Sequence, residues 1–400
     1  MRENWKYQPL GEITTSINGL WKGKKPPFVN VGVIRNANFT KEFTLNLSNI
    51  EYLDVEERQY SSRKLQRGDL IVEKSGGSEK QPVGRTILFD LEGEYSVSNF
   101  TSILRIKDKT SILPTFLYKY LLYIYKEGYT KEMQNATTGI HNIIYDKFLS
   151  IPIPILSLSE QERIVALLDD QFAKIDTLKA NAASQLQAAK DLFQSALKEM
   201  LTPKEGWEEK ELKSIGKTQT GCTPSMSHKE YYNEDYIPFI KPSEINYDGI
   251  GGINYDTQKL SKLGAENGRV FEADSIFMVC IGTIGKLGYS KKIVSCNQQI
   301  NVVTPHDEYY SKFVYYALLN PTFQKKVEII ARSAQATLPI ISKGKWEKLT
   351  VQIPSLPEQE RIAARLDAIS EKVKTLQANY DQTITLCNDL KQSLLKSIFA

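Results

Sequence analysis

Leu158-Ser159-Glu160-Gln161-Glu162-Arg163-Ile164 returns 198 residues later as Leu356-Pro357-Glu358-Gln359-Glu360-Arg361-Ile362. Each copy opens a stretch of about 43 residues without Gly and, past its first turn, without Pro. A chain of 400 residues divided in this way reads as two halves, each a globular part followed by one long helix, with approximate two-fold symmetry. Ser157 with Glu160, and Ser355 with Glu358, match the S-x-x-E capping box, in which serine and glutamate satisfy orphan backbone donors.

A spacing of three and four along the second helix picks out Ile362, Leu366, Ile369, Val373, Leu376, Tyr380, Thr383, Cys387, Leu390 and Leu394, a coiled-coil seam. The same spacing in the first helix gives Ile164, Leu168, Gln171, Ile175, Leu178, Ala182, Gln185, Ala189, Leu192 and Ala196, a smaller and more polar seam. Small side chains opposite large ones suit each other, so the two helices are expected to pair. An apolar stripe about 65 Å long does not stay in water. Opposite orientations would carry the globular parts to opposite ends of a rod.

Outward from the helices, WKYQPLGEI at 5–13 and WEEKELKSI at 207–215 mark matching starts of the two halves. Segments rich in Tyr, Phe, Val and Ile and broken by Gly, Pro and Asn then predict strands at 28–39, 69–74, 83–90 and 95–107. Their counterparts are 236–240, 274–281, 286–290 and 298–305. Each half adds an amphipathic helix, at 114–126 and at 310–320 with a continuation to 331, and a strand-like exit at 148–155 or 349–353. The expected class is therefore α+β, with domains at 1–156 and 203–354 and long helices at 157–202 and 355–400.

Composition is that of an ordinary globular protein, with 41% hydrophobic and 24% charged residues. No apolar run is long enough to span a membrane, and the four scattered cysteines form no C-x-x-C pair, which fits a reducing cytoplasm. The net charge is +4. Residues 151–200 carry five basic and seven acidic side chains and 350–400 six of each, so the positive excess lies on the globular parts. Phosphate contacts are expected there rather than on the helices.

Catalytic motifs are incomplete. Asn320-Pro321-Thr322-Phe323 lacks the second Pro of the Asn-Pro-Pro-aromatic motif of adenine methyltransferases and is read as a bend after a helix. Gly282-Thr283-Ile284-Gly285-Lys286 is half a phosphate loop and is read as a tight hairpin exposing Lys286. His141, His228 and His306 have no Cys, Asp or Glu at ligand spacing, so neither a metal nor a catalytic site is expected.

Polar and basic loops remain, suited to phosphates and base edges. In the first half these offer Lys22, Lys24 and Lys25; Ser75, Ser78 and Lys80; and Thr137, Thr138, His141 and Asn142. In the second half they offer Thr220, Thr223, Ser225 and His228; Lys241, Thr283 and Lys286; and Gln335 with Thr337. These are the candidate DNA-binding residues. Gln161, Arg163, Gln359 and Arg361, repeated at the helix starts, are candidates for partner binding.

Taken together, the chain resembles the specificity subunit of type I restriction–modification systems over its whole length. The likeness is carried by Ile153-Pro154 with Glu160-Gln161-Glu162-Arg163-Ile164 and by Ile353-Pro354-Ser355 running into Glu358-Gln359-Glu360-Arg361-Ile362. Gly221-Cys222-Thr223-Pro224-Ser225, the segment 282–286 and Asn297-Gln298-Gln299-Ile300 resemble family patterns as well. The family often has Gly where Cys222 stands, and the first half has no Thr-Pro-Ser element. The resemblance implies two similar target-recognition domains separated by two long antiparallel helices in a coiled coil, arranged with pseudo-two-fold symmetry. It further implies a non-catalytic chain that reads a bipartite double-stranded DNA target, one half per domain. Two methyltransferase subunits would bring S-adenosylmethionine, and restriction subunits would bring ATP and magnesium. Divergent loops beside repeated helices predict an asymmetric target, with the rod fixing the half-site spacing. A two-domain scaffold that binds proteins instead of DNA is the alternative.

Overall fold

The computed structural model describes every residue except Met1, Glu3, Lys22, Lys24, Lys80, Thr138, 247–251 and 333–338, and the side chain of Thr137. The chain divides into two compact units, Met1–Lys179 with Ile384–Ala400, and Ala180–Thr383. Both are mixed α and β, as expected, and they share the order of their main elements.

Each unit opens with a strand paired antiparallel to the strand that leads into a long helix. Lys6–Pro9 pairs with Pro152–Ile155, and Glu208–Glu211 with Thr350–Ile353. A four-stranded antiparallel sheet follows. In the first unit its order is Thr14–Asn18, Thr101–Ile106, Leu70–Glu73, Thr86–Leu88. In the second it is Gly216–Thr220, Ile300–Pro305, Ile276–Val279, Leu287–Tyr289. The central strands, Leu70–Glu73 and Ile276–Val279, are buried throughout, which is why they read as unbroken apolar runs. A second sheet places Phe28–Ile34 parallel to Tyr95–Val97, and Ile237–Ile240 parallel to Val294–Cys296.

The amphipathic helix Pro114–Lys126 begins with Pro at its first position, where no donor is lost, and has the predicted bounds. Its counterpart is broken at Asn320 into Ser311–Leu319 and Pro321–Arg332. Asn320 Oδ1 accepts from the Thr322 N–H at 2.9 Å, so the asparagine caps the second piece and the bend reading holds.

The long helices run from Leu158 to Met200 and from Leu356 to Phe399. In the first unit the two meet in opposite directions. Lys391 Nζ lies 2.6 Å from Asp176 Oδ1, and Lys179 Nζ donates to Asn388 Oδ1 at 2.6 Å, so one number rises as its partner falls. There Ile164, Leu168, Leu395 and Phe399 share a core with Pro114–Lys126. In the second unit Leu186, Phe193 and Leu197 join Ile362, Leu366 and Val373.

The seam departs from the expected positions. Leu178, Leu192 and Leu390 are exposed, whereas Leu186, Phe193, Leu197, Leu395 and Phe399 are buried. A heptad repeat needs 3.5 residues per turn, and a straight helix drifts from it by roughly 20° per heptad. The four heptads from Ile164 to Leu192 accumulate about 80°, close to the 100° between neighbouring residues, so the buried face moves on by one position. The first seam is consequently bulkier than its predicted residues suggest.

The capping boxes are also incomplete. Ser157 Oγ accepts from the Glu160 N–H at 3.3 Å, but Glu160 turns to Arg163 with two bonds of 2.8 and 2.7 Å. Glu358 pairs likewise with Arg361. A guanidinium three residues on is a stronger partner for the carboxylate than a backbone N–H.

Candidate nucleic-acid interface

The repeated glutamines are not surface residues. Gln161 is 0% exposed and Gln359 is 2% exposed. Gln161 Oε1 accepts from the Leu113 N–H at 2.8 Å, and its Nε2 donates to Ser111 O and Leu156 O, both at 2.9 Å. Gln359 Oε1 accepts from the Tyr310 N–H at 2.9 Å, and its Nε2 donates to Pro354 O at 2.9 Å. Each amide thus ties the start of a long helix to the N-cap of the amphipathic helix of its own unit. That corrects the expectation of partner contact for Gln161 and Gln359, since a buried amide bonded within its own unit offers no surface to a partner. Gln161→Leu is expected to destabilise the first unit by about 2 kcal/mol through orphaned backbone groups, measured by urea unfolding. Arg163 and Arg361 remain exposed beside their glutamates.

In the first unit the expected polar loop after the amphipathic helix is a hairpin, a further correction. Gln134–Thr137 pairs with Ile140–Ile143, and the latter pairs with Ser75–Gly77 in a three-stranded ribbon. Alternation of polar and apolar residues over four positions is too short to separate such a ribbon from a loop. Ser75, His141 and Asn142 lie together on it; His141 and Asn142 are half-buried, and Ser78 is exposed in the turn that follows. Lys25 is exposed on a separate segment, its N–H bonded to Glu56. Lys22, Lys24, Lys80, Thr138, Gln335, Thr337 and the side chain of Thr137 lie outside the described residues.

Beside the ribbon opens a hollow of about 520 Å³ lined by Asn18, Lys74, Ser75, Asn99, Phe100, Asn142, Ile143 and Tyr145. Lys74 Nζ donates to Asn18 Oδ1 at 2.8 Å, and burial lowers the pKa of its ammonium. The Phe100 carbonyl accepts from the Lys74 and Ser75 N–H groups at 2.9 and 3.2 Å, while its ring is 50% exposed. Underneath, Tyr145 Oη bonds both Ser16 Oγ and Ser102 Oγ at 2.7 Å. Glu73, preceding Lys74, holds a buried pair with Arg85 at 2.7 and 3.0 Å. Asn18, Lys74, Asn99 and Phe100 are far apart in sequence and share no motif, so sequence reasoning missed them; only the sheet order brings them together.

The second unit builds the equivalent place differently. Thr220, at the position of Asn18, bonds Asn301 Oδ1 at 2.7 Å, and Cys280 stands where the first unit has Lys74. The Cys280 thiol is buried and its pKa is pushed up to about 12. Gly221 follows Thr220 where a Cβ would lie 2.1 Å from Asn297 O, and Gly19 follows Asn18 where one would lie 1.9 Å from Ser98 O. In both units the chain passes from one sheet to the other through a gap that admits only glycine.

Thr223 Oγ1 donates to Gln298 Oε1 at 2.5 Å, so the Thr-Pro-Ser element meets the Asn-Gln-Gln-Ile turn. Ser225 is exposed beside Ser227, and His228 shares a 2.8 Å bond with Glu230 while stacking on Tyr231. Lys241 Nζ donates to Gln258 Oε1 at 2.9 Å. Lys286 is half-buried with Nζ 3.3 Å from Pro242 O, rather than standing at an exposed hairpin tip; Gly282 and Gly285 take the left-handed turn, and Thr283 is the exposed residue there. The structure therefore places Thr223 against Gln298 and Lys286 against Pro242, the residue after Lys241.

A family model described as the type I restriction modification DNA specificity domain matches twice, over residues 2–188 and 204–386. The chain belongs to this family. Among similar specificity-domain proteins is the type I restriction enzyme HindI specificity subunit of Haemophilus influenzae, 26% identical, with 88% of this chain and 90% of that protein covered. The EcoKI specificity subunit of Escherichia coli K12 is 23% identical over 99% of this chain and 89% of its own. Solved structures share the fold. A chain from a study of complex assembly and conformational transition of the type I R-M system has a TM-score of 0.74 at 17% identity, covering 100% of this chain and 98% of that one. The HsdS subunit of Thermoanaerobacter tengcongensis has a TM-score of 0.54 at 17% identity, covering 100% and 97%.

Proposed function

We infer that the chain is the DNA sequence-recognition subunit of a type I restriction–modification system, each unit reading one half of a split, asymmetric target. One observation carries this reading. The family model matches once per half, while equivalent positions of the two halves differ in chemistry: Asn18 against Thr220 and Lys74 against Cys280. A duplicated frame with unlike contact residues suits two unlike half-sites, and nothing favours the protein scaffold. The chain itself performs no methyl transfer and no cleavage, and works in the cytoplasm. S-adenosylmethionine is bound by two methyltransferase subunits, and ATP with magnesium by the restriction subunits. The exposed Leu192 and Leu390, 198 residues apart, fit two equivalent docking positions.

Co-expression with a cognate methyltransferase, followed by mapping of methylated adenines, is expected to reveal one bipartite asymmetric motif with a fixed spacer. Methylation without such a motif overturns the reading. Binding to a duplex carrying it should weaken steeply with salt as phosphate contacts release counterions. Charge reversal, Arg163→Glu with Arg361→Glu, is expected to weaken co-purification with the methyltransferase while leaving the thermal midpoint unchanged, because exposed pairs contribute little to folding. Undiminished co-purification removes both arginines as contacts.

A further inference from the structure

We propose that the hollow formed by Asn18, Lys74, Asn99, Phe100 and Asn142 reads the major-groove edge of a guanine, and so fixes one base of the half-site recognised by the first unit. This deepens, and rests on, the reading of the chain as a DNA-recognition subunit.

The argument begins with hydrogen-bond polarity. A lysine ammonium has three donors and no acceptor. Asn18 Oδ1 accepts one of them at 2.8 Å, and this fixes the amide, since the reverse orientation would face donor to donor. What the pair presents outward is then donors only: the remaining Lys74 N–H bonds and Asn18 Nδ2. In the major groove guanine shows two adjacent acceptors, O6 and N7, whereas adenine places an amino donor beside N7. A donor-only pair accepts the first and is repelled by the second. The half-exposed Phe100 ring stands at the same opening, anchored through its carbonyl to Lys74 and Ser75. Pressed against a bound base, the ring would exclude water from these bonds, and a lower local dielectric strengthens them.

Phosphate oxygens are acceptors too, and the two units separate these sources. The DNA backbone is the same beneath both half-sites, so a phosphate contact built on the shared frame has reason to be repeated. Bases differ between halves. The lysine is present once, and its counterpart Cys280 is a buried thiol. Lys74 is also half-buried in a hollow lined by three amides and the Phe100 ring.

The test uses the complete methyltransferase complex and duplexes varied one base at a time in the first half-site, with the second half-site held constant. Lys74→Met, which keeps the aliphatic stem, should lower discrimination for guanine at one position about tenfold or more and leave every other position, and the second half-site, unchanged. Asn18→Ala should relax the same position to a smaller extent, and decides the matter if the Lys74 variant assembles poorly. Uniform weakening across all sequences with a shallower salt dependence assigns Lys74 to a phosphate and overturns the proposal, as does unaltered specificity in both variants. If the unsubstituted complex selects no sequence, it is the functional reading that falls instead.

Discussion

Phe399→Ala is expected to destabilise the first unit by about 3–5 kcal/mol, read from urea unfolding of the purified chain. The ring is almost fully buried. It meets Phe116 and Tyr120 edge-on at centroid distances of 5.8 and 5.2 Å and lies tilted against Tyr123 at 5.7 Å. Removing it deletes a large apolar surface, opens a cavity among three other rings, and loses pair interactions worth about 0.5–1.5 kcal/mol each. Phe399→Leu should recover most of the loss, since a leucine refills part of the volume. An alanine variant as stable as the parent would mean that the last turn of the helix contributes nothing to the core it enters.

Arg85→Met is the second large effect, again about 3–5 kcal/mol. Glu73 and Arg85 are joined by two parallel bonds with side chains 2% and 10% exposed. Taking away the guanidinium leaves a carboxylate buried without compensation, which costs far more than the pair itself contributes. The double variant Glu73→Leu with Arg85→Met should therefore be considerably more stable than the single one, and a double-mutant cycle in urea measures the difference. Equal stability of single and double variants would show that the site is open to water after all. Because Glu73 precedes Lys74, the single variant should also blunt sequence discrimination in the first half-site.

Much of this architecture was legible in the sequence because it rests on long periodic patterns. Pro114–Lys126 was bounded by a proline and a run of apolar positions at helical spacing, and both long helices were placed to within two residues. Phase was harder to read. A template repeating every seven residues follows a straight helix for two heptads and then loses it, so it points Leu178 and Leu192 inward where Phe193 is the buried residue. The strand Glu51–Glu56 and the helix Glu57–Arg63 were missed because their charged residues, lying at a surface, mask any alternation. Gln161 and Gln359 were misjudged for the opposite reason: polar residues repeated at exposed-looking positions turned out to be buried fasteners, a role polarity alone does not announce. Nor could the hollow at Lys74 be foreseen, since its walls come from residues 18, 74, 99–100 and 142, and no local pattern encodes their convergence.

The first unit is discontinuous, made of residues up to Lys179 and of the closing stretch from Ile384 onward, whereas the second is one uninterrupted segment. During synthesis the earlier portion therefore leaves the ribosome long before the piece that completes it. At about 5–20 residues per second, that wait is roughly 10–40 s. Through that interval Phe116, Tyr120 and Tyr123 lack the Phe399 ring that completes their cluster, and the inner segment can finish first. The unit that is begun first is thus the one whose last piece is made last.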